Sequence, residues 1–323
     1  MPDPKDWGVD SGYFDDQDEW RDAPPETIAS VFEAMGATEG GPQESPVVVA
    51  RAGKPLDVAG AVEVVTEDGG SAAPGDELPP GYHRLVYADG SEKELISSPG
   101  RCFLPEGLRT WGWGVQLYSA RSRRSWGIGD LGDLADLGRW ARGEGAGMLL
   151  INPLHAPKPG PQQPSPYFPS SRRWRNPLYL RVEDVPGADA AVEDLAGIAA
   201  RGRALSERET IDRDAIYALK MDALARIWPL RRDSPAFHDF RARHGASLTD
   251  FATYMTLVEH HGGGPLGWPQ EHRDPRGSAV TRFRVANEDR VLFHEWVQWL
   301  LEDQLTRASE EIGLVHDLAV GVD

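Results

Sequence analysis

The segment from Gly112 to Asp184 constrains the fold of this chain more than any other. It begins with a strand-like run at 112–119, passes through an amphipathic helical pattern, and reaches a short apolar strand at 148–151. Polar and aromatic residues follow each of the two strands. Because α/β enzymes build their sites at the carboxyl end of a sheet, this order predicts an α/β fold and an enzyme.

The charge and composition narrow the classes of partner. A net charge of -17 argues against a nucleic-acid partner and against docking on anionic membranes, and it suits a neutral substrate. No apolar run approaches the length of about 20 residues that a membrane span needs, and the amino terminus lacks a signal-peptide pattern. The single cysteine, Cys102, excludes an internal disulfide and a cysteine-rich metal site. We therefore expect a cytoplasmic protein.

Residues 1 to about 100 differ in pattern from the rest of the chain. A helix is predicted after Pro24, with Gly36 as its stop. Short β-prone runs follow, including a hairpin whose turn is Ala88-Asp89-Gly90-Ser91. Several short strands between turns predict an amino-terminal helix plus a small β-sandwich domain. This module could bind sugar, or it could serve as a packing or spacer domain.

The second part, 105–323, begins with the strand–helix–strand order described above. A largely helical insertion is predicted at about 188–308, with one helix from near Asp212 to Trp228 that Pro229 ends. Another helix is predicted from about Asn287 to Ala308. The run 314–320 reads as a third strand.

The glycine pattern at Gly127, Gly129 and Gly132 matches the Gly-x-Gly-x-x-Gly dinucleotide fingerprint and opens a helix. The fingerprint requires its glycines directly after a strand, whereas residues 120–126 intervene here. The next strand also lacks the terminal acid that would hold a ribose. We therefore expect no nucleotide cofactor. The glycines instead let the backbone pass close to another group, which is either protein or ligand.

The proline-rich loop after the second strand, Pro157 to Pro169, carries Ser165 and Tyr167. A rigid loop at a strand's carboxyl end is a good platform for residues over a pocket. The same pattern could also serve as a polyproline ligand, but its position between folded segments argues against that. Tyr167 either reaches a concave site that this loop lines or merely packs under the loop. The histidines form no metal-binding pattern, so no metal site is predicted.

Several segments of the chain resemble the 4-alpha-glucanotransferases, the amylomaltase family that acts on α-1,4-glucans. The matching segments in the second part are 112–118, 126–134, 152–155, 165–167, 176–180, 293–299 and 316–323. Their order and spacing agree with the family over roughly residues 105–323. The leading region, with segments 7–10 and 78–83, resembles the additional amino-terminal domain of longer bacterial members.

This resemblance implies a TIM-type (β/α)8 barrel with a helical insertion after its second strand, and here the barrel is incomplete. It also implies a retaining double displacement in which an aspartate attacks, a glutamate acts as acid and base, and a sugar accepts the glucan. In this family the Ser-Pro-Tyr loop lies beside the scissile bond, which makes Ser165 and Tyr167 expected substrate contacts and Asp317 a further one. The family's catalytic carboxylates belong to later strands, so no catalytic residue is assigned among these positions.

Two interpretations follow. In the first, the chain is the front portion of a longer glucanotransferase acting on an α-1,4-glucan or maltooligosaccharide. In the second, it is a non-catalytic glucan-binding or interaction fragment. The coding sequence beyond Asp323 would distinguish them, because a continuing frame with a strand bearing Arg-x-Asp favours the first.

Overall fold

The computed structural model describes residues 2–38, 45–157, 160–188, 190, 192–231 and 234–321. The chain divides into two compact units, Met1–Leu108 and Arg109–Asp323. Each unit is considered by itself below.

The first unit begins with a short hairpin and a helix. Strands β1 (Gly12–Phe14) and β2 (Trp20–Asp22) pair antiparallel. Helix α1 (Pro25–Met35) follows and buries Phe32. Gly36 ends this helix at φ 62, where its N–H bonds back to Phe32 and Glu33. A glycine adopts this left-handed conformation without steric cost, so the predicted helix and its stop are confirmed.

A five-stranded sheet forms the rest of the first unit, in the order β3-β7-β6-β4-β5. Its strands are β3 (Val47–Arg51), β4 (Ala61–Val65), β5 (Ser71–Ala72), β6 (Gly81–Tyr87) and β7 (Glu92–Ser98). The predicted hairpin joins β6 to β7, and its Gly90 has φ 82. One face of the sheet is closed by a small apolar core of Leu56, Val64, Leu78, Leu85 and Leu95.

A three-stranded parallel sheet forms the centre of the second unit. Strands β8 (Gly112–Val115), β9 (Met148–Ile151) and β12 (Gly313–His316) pair in chain order, with β9 in the middle. Helix α2 (Leu131–Gly143) connects β8 to β9. A short antiparallel pair, β10 (His155–Ala156) and β11 (Ser171–Arg175), flanks the proline-rich loop. The observed fold is therefore α/β.

Five helices connect β11 to β12 in the part of the chain that the structure describes. They are α3 (Val192–Ala204), α4 (Arg213–Arg231), α5 (Pro235–His261), α6 (Ser278–Ala286) and α7 (Glu288–Glu311). Helix α5 kinks at Gly245, where φ is 51. Helix α7 packs against α2 and α5, and its Trp296, Leu300 and Leu301 lie fully buried in the main core. The helical character of the segment between β11 and β12 and the helix beginning near Asn287 agree with the sequence prediction.

Three details differ from the sequence prediction. The first strand ends at Val115 because the backbone N–H of Leu117 donates to the Asn152 side chain instead of continuing the ladder. The third strand ends at His316. Helix α4 continues past Pro229 to Arg231. The φ of proline is itself helical, and burial of the neighbouring Trp228 holds this last turn in place.

The apolar side chains of the parallel sheet divide between its two faces. Leu149 and Ile151 are fully buried in the main core. The alternate residues Leu150 and Val315 are the exposed ones, at 45% and 43%. Because side chains alternate between the two faces of a sheet, one face is covered by helices and the other is open.

Candidate functional site

The carboxyl edge of the parallel sheet brings together three segments that are far apart in sequence. A 3-10 turn at Leu117–Ser119 follows β8, the segment 152–154 follows β9, and Asp317 follows β12. The N–H of Asp317 donates to the carbonyl of Ile151 at 2.9 Å, so the backbone of Asp317 lies directly beside the end of β9. This edge is where parallel α/β sheets place their functional residues.

Asn152 fixes the relative positions of these segments. Its Oδ1 accepts from the Leu117 N–H at 2.7 Å, and its Nδ2 lies 3.0 Å from the hydroxyl oxygen of Tyr179. All three groups are buried. Burial raises the pKa of Tyr179 to about 12, so this phenol stays neutral. The sequence did not predict this role for Asn152, because its partners lie 35 and 27 residues away along the chain.

The three predicted substrate contacts lie together. The Tyr167 hydroxyl donates to Asp317 Oδ2 at 2.6 Å, across 150 positions of sequence. Ser165 begins the same turn, and its Oγ accepts from the Tyr167 N–H at 3.4 Å. Tyr167 is 37% exposed and therefore reaches the surface instead of packing under the loop. Its hydrogen bond to Asp317 raises the phenol pKa, which keeps the tyrosine a donor at neutral pH.

A concave surface lies directly beside this pair. The proline-rich loop lines it through Gln162, Ser165, Pro166 and Phe168, among others, although Lys158 and Pro159 lie outside the described residues. Tyr118, His155, Asn176 and Arg213 contribute polar groups to the same surface. Tyr167 borders the surface but is not part of its lining.

Two histidines near this edge are held neutral. Burial lowers the pKa of His155, and the neighbouring charges of Arg175 and Arg172 lower it further. Burial also lowers the pKa of His316, together with Arg175 and His155. The buried Nε2 of His155 has no hydrogen-bond partner among the described residues. The carboxyl edge therefore offers neutral donors and acceptors beside one carboxylate.

The glycine pattern packs against protein. A Cβ on Gly129 would lie 1.9 Å from the Leu117 carbonyl oxygen, and one on Gly132 would lie 2.7 Å from the Arg181 guanidinium. Gly127 has φ 76, and a Cβ there would lie 2.8 Å from the Leu205 side chain and 3.0 Å from that of Ile216. The close approach that the sequence predicted is thus confirmed, and the neighbours are the chain's own atoms.

A buried charge cluster behind the glycines was not identified from the sequence. Asp130 caps α2 in a reciprocal capping box with Asp133, in which Asp130 accepts the Asp133 N–H and Asp133 accepts the Asp130 N–H. The Arg181 guanidinium pairs with Asp130 at 2.7 Å and with Asp133 at 2.6 Å. The helix dipole favours acidic side chains in the first turn of a helix, which is a local preference. The arginine lies in the Asn-Pro-Leu-Tyr-Leu-Arg segment, and tertiary folding alone brings it there.

The buried Lys220 holds the backbone of the segment that leads into Arg181. Its Nζ donates to the carbonyls of Leu178 and Leu180, each at 2.6 Å, on either side of Tyr179. Burial lowers its pKa to about 8. Lys220 thus orients the segment from which Tyr179 reaches Asn152.

Two glutamines on α7 hold the backbone of the same region. Gln298 accepts the N–H of Arg175 and donates to its carbonyl, both at 2.9 Å. Gln304 makes the same pair of bonds to Arg181, at 2.9 and 2.8 Å. Each glutamine side chain therefore bonds both backbone groups of one residue, as a neighbouring β-strand would. The part of α7 that carries the family-like segment 293–299 has a structural role in these contacts.

Among the described residues, no group of three or more histidine, cysteine, aspartate or glutamate side chains is arranged to hold a metal ion. Within the same residues, none of the helices combines the length and apolar character that crossing a membrane requires.

The fold is that of an α/β protein with a parallel sheet at its centre. The family model for 4-alpha-glucanotransferase matches residues 115–323, and the chain belongs to this family. A 4-alpha-glucanotransferase of Mycobacterium tuberculosis is 42% identical over 280 residues, covering 76% of this chain and 38% of the relative. One of Haemophilus influenzae is 33% identical over 280 residues, covering 75% and 40%.

A solved structure supports the same assignment. Amylomaltase from Corynebacterium glutamicum superposes with a TM-score of 0.77 and 28% identity, covering 99% of this chain and 54% of that one. The chain thus spans about two fifths of the length of the curated relatives it matches.

Proposed function

We propose that this chain forms the front portion of a 4-alpha-glucanotransferase that transfers α-1,4-glucan segments between maltodextrins. In this proposal, β8, β9 and β12 are the first three strands of a (β/α)8 barrel, the helices between β11 and β12 are its insertion, and the first unit is a preceding sandwich-like module. The support is the family membership together with the chain-order pairing of three parallel strands.

One observation carries the assignment of the substrate site. The Tyr167–Asp317 hydrogen bond joins the loop after the second strand to the end of the third, at the edge where a barrel binds substrate. A protonated phenol and a carboxylate in contact can together donate to and accept from adjacent sugar hydroxyls. Ser165, Tyr167 and Asp317 are thus the proposed glucan contacts.

The chemistry would follow a retaining double displacement, in which two carboxyl groups about 5 Å apart flank the scissile bond. We assign no residue of this chain to either role. Ser165, Tyr167 and Asp317 would orient the glucan while the displacement is carried out by carboxylates of the family's later strands. The chain by itself is then a binding platform without transfer activity.

Two measurements test this proposal. Purified 1–323 incubated with maltotriose should yield no glucose or longer maltodextrins above a blank. Calorimetric titration with maltoheptaose should give binding that Asp317→Ala weakens about tenfold, while Asp136→Ala, an exposed carboxylate on α2, leaves it unchanged.

Either measurement can contradict the proposal. Disproportionation that Asp317→Ala abolishes would mean that catalytic carboxylates lie within this chain. Maltoheptaose binding that Asp317→Ala and Tyr167→Phe leave intact would mean that glucan binds elsewhere.

A further inference from the structure

The hairpin of β1 and β2 in the first unit exposes aromatic side chains that no core covers. Phe14 is 67% exposed and Trp20 is 47% exposed. They are directly opposite each other in the antiparallel register, so both rings lie on one face of the hairpin. Tyr13, 63% exposed, lies on the other face.

The Trp20 ring is held in one orientation. A Cβ on Gly12 would lie 2.6 Å from the ring, so the absence of a side chain there lets the indole lie over the backbone. The indole N–H donates to Asp22 Oδ1 at 2.7 Å. Phe14 contacts the ring at 5.1 Å between centroids, with 72° between the planes. The position of the indole is thus set before any ligand arrives.

The hairpin turn is stabilised by its own polar groups. Asp15 Oδ1 accepts from the N–H groups of Gln17 and Glu19, and Asp15 Oδ2 accepts from Arg21. These bonds lower the pKa of Asp15, so the turn keeps its acceptor through the neutral range. The two exposed rings are therefore presented by a preorganised element.

The sequence around these rings is strongly acidic. Asp10, Asp15, Asp16, Asp18, Glu19 and Asp22 lie within 13 positions, where Arg21 is the one basic residue. This local charge and the net charge of -17 disfavour nucleic acids, phosphates and anionic lipids. Exposed ring faces beside carboxylates suit a neutral ligand with apolar C–H faces and many hydroxyl donors. A sugar has both properties.

We propose that the β1–β2 hairpin binds an α-glucan chain through Phe14, Trp20 and Asp22, separately from the site at Asp317. The ligand class rests on the proposed function of the second unit. The two rings, in edge-to-face contact, form one apolar surface against which the C–H face of a sugar can pack. Asp22 accepts one indole N–H and has further acceptor positions for sugar hydroxyls.

The test uses the full chain in native gels containing glycogen, with dextran gels as the control for a glucan of different linkage. Trp20→Ala should raise the apparent dissociation constant for glycogen about tenfold. Phe14→Leu, which keeps an apolar side chain and removes the ring, should raise it severalfold. Tyr13→Ala, on the opposite face, should leave it unchanged. Far-UV circular dichroism checks that each variant is folded.

The outcomes separate this inference from the proposed function. Unchanged glycogen retardation of folded Trp20→Ala and Phe14→Leu overturns the hairpin site, and so does a wild-type chain that glycogen does not retard. If maltoheptaose binding depends on Asp317 while these two variants behave as wild type, only the hairpin inference fails. If retardation depends on Trp20 while Asp317→Ala has no effect in calorimetry, the hairpin site stands and the proposed substrate site fails.

Discussion

Two groups of carboxylates in the second unit, the pair Asp130 and Asp133 and the single Asp317, differ in their burial and in their hydrogen-bond partners. Asp130 and Asp133 are buried at the start of α2, where backbone N–H groups and Arg181 surround them. Asp317 is only partly buried at the carboxyl edge of the sheet, with the exposed Tyr167 as its described side-chain partner. A buried carboxylate depends on partners from its own chain, whereas one that remains accessible can bind a ligand.

The residues beneath the carboxyl edge are also bonded within the chain, unlike the accessible residues at the edge itself. Beneath the open edge, Lys220 holds the carbonyls on either side of Tyr179, and Tyr179 is hydrogen-bonded to Asn152. The edge can thus remain accessible because the layer beneath it is fixed. This comparison predicts large losses of stability from changes in the buried layer and small ones at the edge.

The largest effect is expected for Arg181→Met. This change leaves Asp130 and Asp133 buried without their cation, which costs about 3–5 kcal/mol. Urea denaturation followed by tryptophan fluorescence should report it. Arg124→Met is the matched control, because its ion pair with Asp184 is exposed and contributes about 0–1 kcal/mol. Equal effects of the two changes would contradict the comparison.

Lys220 should make the stability of the second unit depend on pH. Its pKa is about 8 in the folded chain and 10.5 when unfolded. Between these values the unfolded chain holds the extra proton, so stability should rise as the pH increases from about 8 towards 10. The expected gain is about 2 kcal/mol.

Lys220→Met should remove this rise, which urea denaturation of both chains at several pH values would measure. A pH dependence between 8 and 10 that is the same in Lys220→Met and the wild type would show that Lys220 is not its source.

A smaller loss is expected for Tyr179→Phe. Removing the hydroxyl leaves an Asn152 amide hydrogen buried without its partner, which costs about 1–3 kcal/mol. Denaturation should show this loss, and maltoheptaose affinity should fall as the ends of β8 and β9 become less fixed. Tyr82→Phe, on an exposed tyrosine of the first unit, is the control.

The smallest stability effect is expected for Tyr167→Phe. Its bond to Asp317 is exposed, so its loss should change the free energy of unfolding by less than about 0.5 kcal/mol. A loss of stability as large as that of Tyr179→Phe would mean that Tyr167 has a structural role. It would then contradict the distinction between the buried carboxylates and the accessible Asp317.

Local patterns were sufficient for much of the fold. Apolar spacing gave α2, α7 and the second parallel strand, and turn chemistry gave the Gly36 stop and the β6–β7 hairpin. These features depend on residues a few positions apart, whose conformational preferences are visible in a single sequence. The family resemblance also indicated Ser165, Tyr167 and Asp317 as substrate contacts.

Other features depended on contacts over long sequence separations. The sequence allowed Tyr167 to lie either under its loop or at the surface, and the bond to Asp317 across 150 positions accompanies the surface position. The partner of Asp130 is 51 positions away, and those of Gln298 and Gln304 are 123 positions away. Pro229 fell inside a helix because packing of the preceding turn outweighed its local preference. Residue patterns along the chain thus determined which elements form, and burial and hydrogen bonding between distant segments decided which polar groups are enclosed and which remain accessible.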